Sequence, residues 1–167
     1  MQLLTRSSVS HLAEFVIREL QKELIAQKHV DKRTLHDSLE YKVKDAGSGT
    51  HIDIFAEDYG IFVDQGRKAG TKKVPVLVLL DWVIRKGIAE NDKQALSVAY
   101  AIQTKIFREG IPTVGSRKVA PRRLHWIDHT MNQIEPVIFQ MLSAAVFENA
   151  QRYLDDIIER NQKKLSA

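Results

Sequence analysis

Leu39-Glu40-Tyr41-Lys42-Val43-Lys44, followed after a short gap by His51-Ile52-Asp53-Ile54-Phe55-Ala56, is the pair of segments that sets the fold class. In the first, the apolar residues hold the odd positions; in the second, Ile52, Ile54 and Ala56 share one face. Strict alternation is the period of a half-buried strand, because successive side chains point to opposite sides of a sheet. Between them, Asp45-Ala46-Gly47-Ser48-Gly49 supplies turn chemistry. The two segments therefore read as a β-hairpin with a loop of about four or five residues.

Upstream, Ser7, Ser8 and Ser10 offer N-caps for a helix running to about Lys28. Ala13, Ile17, Leu20 and Leu24 recur at helical spacing, and Leu12, Phe15 and Val16 widen the stripe. Leu35 is the expected buried anchor of the polar stretch between helix and hairpin. Downstream lies the least evenly composed segment of the chain, Asp58 to Ile88. Its start, Tyr59 to Val63, reads as a short helix capped by Glu57-Asp58, with a third strand over Ile61-Phe62-Val63 as the other reading. Gly66 to Lys73 is a loop by composition. Val74-Pro75 opens a helix that carries Leu77, Leu80, Val83 and Ile84 inward with Trp82 beside them, and Gly87 ends it.

Asn91 or Asp92 caps a further helix to Glu109, with Ala95, Val98, Ala99, Ile102 and Ile106 as its apolar stripe. Ile111 to Pro121 is a second long loop. Arg123 to Gln133 reads as helical, and Pro136 either kinks that helix or opens a new one. A long C-terminal helix is expected over about 137–160, its stripe formed by Ile138, Met141, Leu142, Ala145, Tyr153 and Ile157. Phe139 and Phe147 read as core or helix-contact residues. The fold class is thus α+β: a small antiparallel hairpin packed against a long N-terminal helix and several C-terminal helices. With 167 residues the chain reads as one domain, 1–167.

The chain contains no cysteine, which removes disulfide frameworks, thiolate metal sites and cysteine nucleophiles together. Its N-terminus lacks the apolar core of a signal peptide, and the longest apolar run, Val74 to Leu80, falls far short of the ~20 residues that cross a bilayer. The formal charge is +4, but its distribution says more. Arg67, Lys68, Lys72 and Lys73 occur within one loop without an acid, and Arg117, Lys118, Arg122 and Arg123 within a second. Two basic loops on a mildly acidic body suit an acidic protein surface or nucleic acid phosphates.

Catalytic equipment is not legible. His125 and His129 have the i, i+4 spacing of a helical zinc motif, but Trp126 stands where the general base would be and no third ligand is apparent. His51 and Asp53 fall on the polar side of a strand, where charged residues are ordinary. Gly66 to Lys73 lacks the GxxxxGK[ST] spacing of a phosphate-binding loop. The expectation is no enzyme, no cofactor and no metal.

The segment Tyr59-Gly60-Ile61-Phe62-Val63-Asp64-Gln65-Gly66 resembles a motif of the tail-completion, or head–tail connector (neck), proteins of tailed bacteriophages. Pro75, then Asp81-Trp82-Val83-Ile84 and Arg85-Lys86-Gly87-Ile88, and later Ala99 to Ile102 and Gly110-Ile111-Pro112, extend the likeness. This chain differs in having Asp64 where many members carry Glu, and in inserting two helices after the variable loop. The resemblance implies a non-enzymatic virion protein that forms a ring of identical subunits at the head–tail junction. Its partners would be other neck, portal-side and tail proteins, with non-specific contact to packaged DNA and none to membrane; it would be made in the host cytoplasm. On that reading the eight loop cations are assembly or DNA-facing contacts, and Tyr59, Phe62, Asp64, Gly66, Trp82 and Gly87 are structural motif residues. The alternative is a non-specific DNA-binding accessory protein.

Overall fold

The computed structural model describes residues 4–46, 49–114 and 124–165. The chain is mixed α+β, as its patterning predicts, and divides into two compact units. One comprises Met1–Asp58 and Trp126–Ala167; the other, Tyr59–His125, is inserted between them in sequence.

In the first unit, helix α1 spans Arg6–Ala26, and its N-cap is Thr5, whose side chain accepts the Ser8 N–H at 3.2 Å. Thr5 takes the role expected of the serines because it alone stands in extended conformation one residue before the first turn. The buried face is Val9, Leu12, Ala13, Val16, Leu20 and Leu24, while Ile17 is only half-buried. The short helix α2, Thr34–Asp37, buries Leu35 as expected.

Strands β1 (Glu40–Ala46) and β2 (Gly49–Phe55) pair antiparallel, with Tyr41 opposite Ile54 and Val43 opposite Ile52. The ladder reaches Ala46 opposite Gly49, so the strands run further than the turn composition suggested. Both strands lie against α1, and the Tyr41 hydroxyl donates to Glu14 Oε1 at 3.2 Å. The hairpin thus covers part of the α1 apolar face, which answers the need that so broad a stripe creates.

The same helix packs against α6, Trp126–Leu165, a 40-residue helix roughly 60 Å long at 1.5 Å per residue. It begins well before the expected start near 137 and runs straight through Pro136. Proline removes one helical hydrogen bond, but buried Trp126, Thr130 and Ile134 on one side and half-buried Ile138, Met141 and Leu142 on the other hold the helix in register. Tyr153 and Ile157, expected in its buried stripe, are exposed, as are Phe139 and Phe147. No helix among the described residues is long and apolar enough to cross a membrane.

In the second unit, α3 (Gly60–Gln65) adopts the helical reading of that segment. Its N-cap is Tyr59, with no side-chain capping bond, so Glu57-Asp58 do not cap it. Helices α4 (Val76–Arg85) and α5 (Asp92–Glu109) pack on each other through Leu79, Val83, Ala95 and Ala99. The two alanines, one turn apart, let the α4 side chains approach the α5 backbone closely. The buried face of α4 is Leu79 and Val83; Leu77 and Ile84, expected inward, are exposed. Pro75 is the N-cap, one position earlier than a first-turn proline, and the side of α4 that is buried is the one that meets Ala95 and Ala99 of α5. Asn91 Oδ1 accepts the Gln94 N–H at 2.9 Å, the expected cap of α5.

Candidate functional site

The Gly66–Lys73 loop belongs to the second unit and is not a free excursion. It runs antiparallel to the C-terminal half of α5, and the chain around it is fastened at two places on that helix and a third just beyond its end. Gln103 Nε2 donates to the Val74 carbonyl at 2.6 Å. The Gly70 N–H donates to the Phe107 carbonyl at 2.7 Å. Arg67 N–H donates to the Ile111 carbonyl at 2.7 Å, and Ile111 N–H returns a bond to the Arg67 carbonyl at 2.8 Å. Residues 103 and 107 are one helical turn apart on α5, and 111 follows the glycine that ends the helix.

Within the loop, Thr71 Oγ1 donates to the Lys68 carbonyl at 2.9 Å and accepts from Arg67 Nε at 3.0 Å. The Arg67 guanidinium lies 6.0 Å from the Phe62 ring centre, and Lys73 Nζ lies 5.6 Å from that of Phe107. Such cation–π contacts at exposed sites contribute about 0.5–1 kcal/mol each. None of Arg67, Lys68, Lys72 and Lys73 forms an ion pair among the described residues. Backbone bonds and aromatic faces hold the loop, and no carboxylate among the described residues pairs with its cations.

Beside the loop is an open groove of about 1050 Å³ whose lining includes Ile61, Phe62, Arg67, Lys68, Lys72 and Ile111. Its lining combines exposed apolar side chains, Ile61 and Phe62 among them, with the cations. Glu109, also in the lining, accepts the Val114 N–H at 2.9 Å through its carboxylate.

The motif residues have distinct placements. Tyr59 and Phe62 are exposed rather than buried anchors. Asp64 is buried, and its backbone carbonyl accepts the His125 N–H at 2.8 Å. Trp82 is half-buried against the α4–α5 core. Gly87 ends α4 with its N–H on the Ile84 carbonyl, while Ile88 N–H reaches Val83. The peptide bond between Ile111 and Pro112 is cis. Arg117, Lys118, Arg122 and Arg123 lie outside the described residues.

His125 and His129 do not share a helix face as their spacing suggested. His125 precedes α6 with φ +58°, off the helix, while the His129 ring lies 3.0 Å from Glu23 of α1. Among the described residues no group of three or more His, Asp or Glu side chains could hold a metal. On the hairpin, the Lys44 ammonium 2.6 Å from Asp53 holds that carboxyl below its ordinary range.

Gln103 and Phe107 were not among the residues singled out by sequence. In a helical stripe their positions look like ordinary solvent-side residues, and only the folded path of the loop brings it over them. Comparison with known proteins found no matching family model, no matching curated protein and no matching solved structure.

Proposed function

We propose that this chain is a structural protein of a tailed-bacteriophage virion, assembling as a ring at the head–tail junction and joining the portal side to the tail. The observation that carries this reading is the meeting of two segments far apart in sequence. Arg67, directly after the Tyr59–Gly66 motif, and Ile111 of Gly110-Ile111-Pro112 form one bridge, so two stretches of the resemblance to the neck proteins meet beside a loop of four cations that pair with no described carboxylate. A ring closes through heterologous contacts, one surface of a subunit meeting a different surface of the next. An outward cationic loop beside an apolar groove suits such a contact with an acidic neighbour, or with DNA passing through the ring.

The test is a phage carrying Arg67→Glu, Lys68→Glu, Lys72→Glu and Lys73→Glu together. Loss of joined head–tail particles in electron micrographs supports the reading, and normal assembly with full infectivity ends it. These cations equally favour a second reading, a DNA-binding accessory protein. That reading requires the isolated chain to retain duplex DNA with an affinity that falls steeply as salt rises, since each neutralised phosphate releases counterions.

A further inference from the structure

The groove beside the Gly66–Lys73 loop lies wholly within the Tyr59–His125 unit, and its lining brings exposed apolar side chains together with cations. Ile61 and Phe62, successive residues of α3, are 54% and 55% exposed, and Ile111 is exposed as well. Single exposed apolar side chains are ordinary, but several gathered in a concavity mark a place where a ligand displaces water. A volume of about 1050 Å³ is at the upper end for a small-ligand site. The groove is also open, which suits a stretch of polypeptide better than a compact metabolite.

Arg67, Lys68 and Lys72 supply the charge. Arg67 is held in one orientation, with Nε on the Thr71 hydroxyl and the guanidinium against the Phe62 ring, and its two terminal nitrogens make no bond among the described residues. A guanidinium fixed in this way is prepared for the two oxygens of a carboxylate. Lys68 and Lys72 are exposed and make no ion pair among the described residues. The residues outside that description carry no Asp or Glu, so no side-chain carboxylate among them supplies the missing partner.

Nucleic acid is the other anion that such cations attract. Two features of the lining favour a peptide. Single strands are held by bases stacked on aromatic rings, but Phe62 is the one ring among the described lining residues and it already faces Arg67. The remaining apolar residues are aliphatic and gain nothing from a phosphate. Glu109 also lines the groove, its carboxylate accepting the Val114 N–H. A nucleic acid strand carries charge at every residue and would bring some of it toward Glu109. A polypeptide can set its acids against the cations and neutral residues elsewhere.

We propose that this groove receives an acidic segment of a neighbouring protein, with apolar side chains interspersed among its Asp and Glu residues. The acids meet Arg67, Lys68 and Lys72, and the apolar side chains cover Ile61, Phe62 and Ile111. This gives the basic loop its partner and rests on the reading of that loop as an assembly contact.

An array of short random peptides probed with the full chain should yield binders rich both in Asp or Glu and in Leu, Ile or Phe. Binders that are basic, binders that are acidic without apolar residues, or no binders at all overturn the proposal. In solution at physiological salt, the best peptide should bind at least about tenfold more tightly than a single-stranded or duplex oligonucleotide of equal charge. Equal or tighter oligonucleotide binding overturns the proposal and favours DNA. Lys68→Glu with Lys72→Glu should weaken the peptide at least about tenfold, and Ile61→Ser at least about threefold. All three positions are exposed, so the melting curves should match the parent. Unchanged peptide affinity in these variants refutes the assigned groove. A chain that sediments as an oligomer and binds no peptide points to a second copy as the occupant, which also refutes it. The virion reading fails separately, if the protein is missing from the neck of purified particles.

Discussion

Arg67 and Ile111 exchange both of their backbone hydrogen bonds, at 2.7 and 2.8 Å, and a glycine precedes each of them. The two glycines take φ of +77° and +80°, in the left-handed region that side chains disfavour. A Cβ on Gly66 would fall 2.2 Å from the Ile111 carbonyl oxygen, and one on Gly110 would fall 2.2 Å from that of Arg67. The obstacle on each side is backbone that is itself hydrogen-bonded, so it cannot yield without breaking the bridge.

Gly66→Ala and Gly110→Ala should therefore each destabilise the Tyr59–His125 unit by about 2–4 kcal/mol, from strained dihedrals combined with a lost bridge. Gly70→Ala is the control: its φ is also positive, but a Cβ there meets nothing within 4 Å. Chemical denaturation should rank Gly70→Ala as the mildest of the three. Equal effects at all three positions would contradict the role assigned to the bridge.

Fastening of the loop to α5 has its own signature. Gln103→Ala removes the bond to the Val74 carbonyl and should cost about 1 kcal/mol. Phe107→Ala leaves the Gly70 bond to its backbone but removes the ring under Lys73. Hydrogen exchange should quicken at the loop amides in both variants, with the α4–α5 core amides unchanged. Unaltered exchange at Gly70 in Gln103→Ala would mean that the loop is held by other contacts.

Reversing Lys68 and Lys72, which make no ring contact or ion pair among the described residues, should leave thermal stability nearly unchanged, within about 0.5 kcal/mol, whereas reversing Arg67 and Lys73 also removes their contacts with Phe62 and Phe107. A loss of assembly when Lys68 and Lys72 alone are reversed can then be assigned to the surface. If the isolated variant melts markedly lower, the cations have a structural role instead.

Asp53 gives a pH prediction with a definite sign. Its folded pKa is lowered, first by the hydrogen bond from Lys44 and then by that residue's charge. Its contribution to stability is therefore complete above the unfolded value near 3.8 and is lost as pH falls through the lower folded value. Carboxyl NMR should show Asp53 titrating below 3.8 in the parent chain and returning toward it in Lys44→Gln. An identical midpoint in both would refute the pairing.

Trp126 tests the start of α6. Its side chain is buried at 1% exposure, and its indole N–H has no hydrogen-bond partner among the described residues. Trp126→Ala should cost about 3–5 kcal/mol, as for other large core truncations. A loss below about 1 kcal/mol in denaturant titration would show that this end of the helix is not part of the core.

What the sequence determined by itself was local. The period-two alternation of Leu39–Lys44 and His51–Ala56, the capping chemistry of Asn91 and the glycines closing α4 and α5 depend on near neighbours, and those elements stand where the pattern puts them. The tertiary structure decided which apolar residues are covered. Leu77, Ile84, Tyr153 and Ile157 satisfy helical spacing as well as Leu79 and Val83 do, yet only the latter two meet a partner. Periodicity reports that a helix has an apolar side, but burial depends on what the rest of the chain places against it. The same holds for the basic loop. Its charge was legible in Arg67, Lys68, Lys72 and Lys73, whereas its attachment to Gln103, Phe107 and Ile111 arises from contacts between residues about thirty to forty positions apart, which only the folded path brings together.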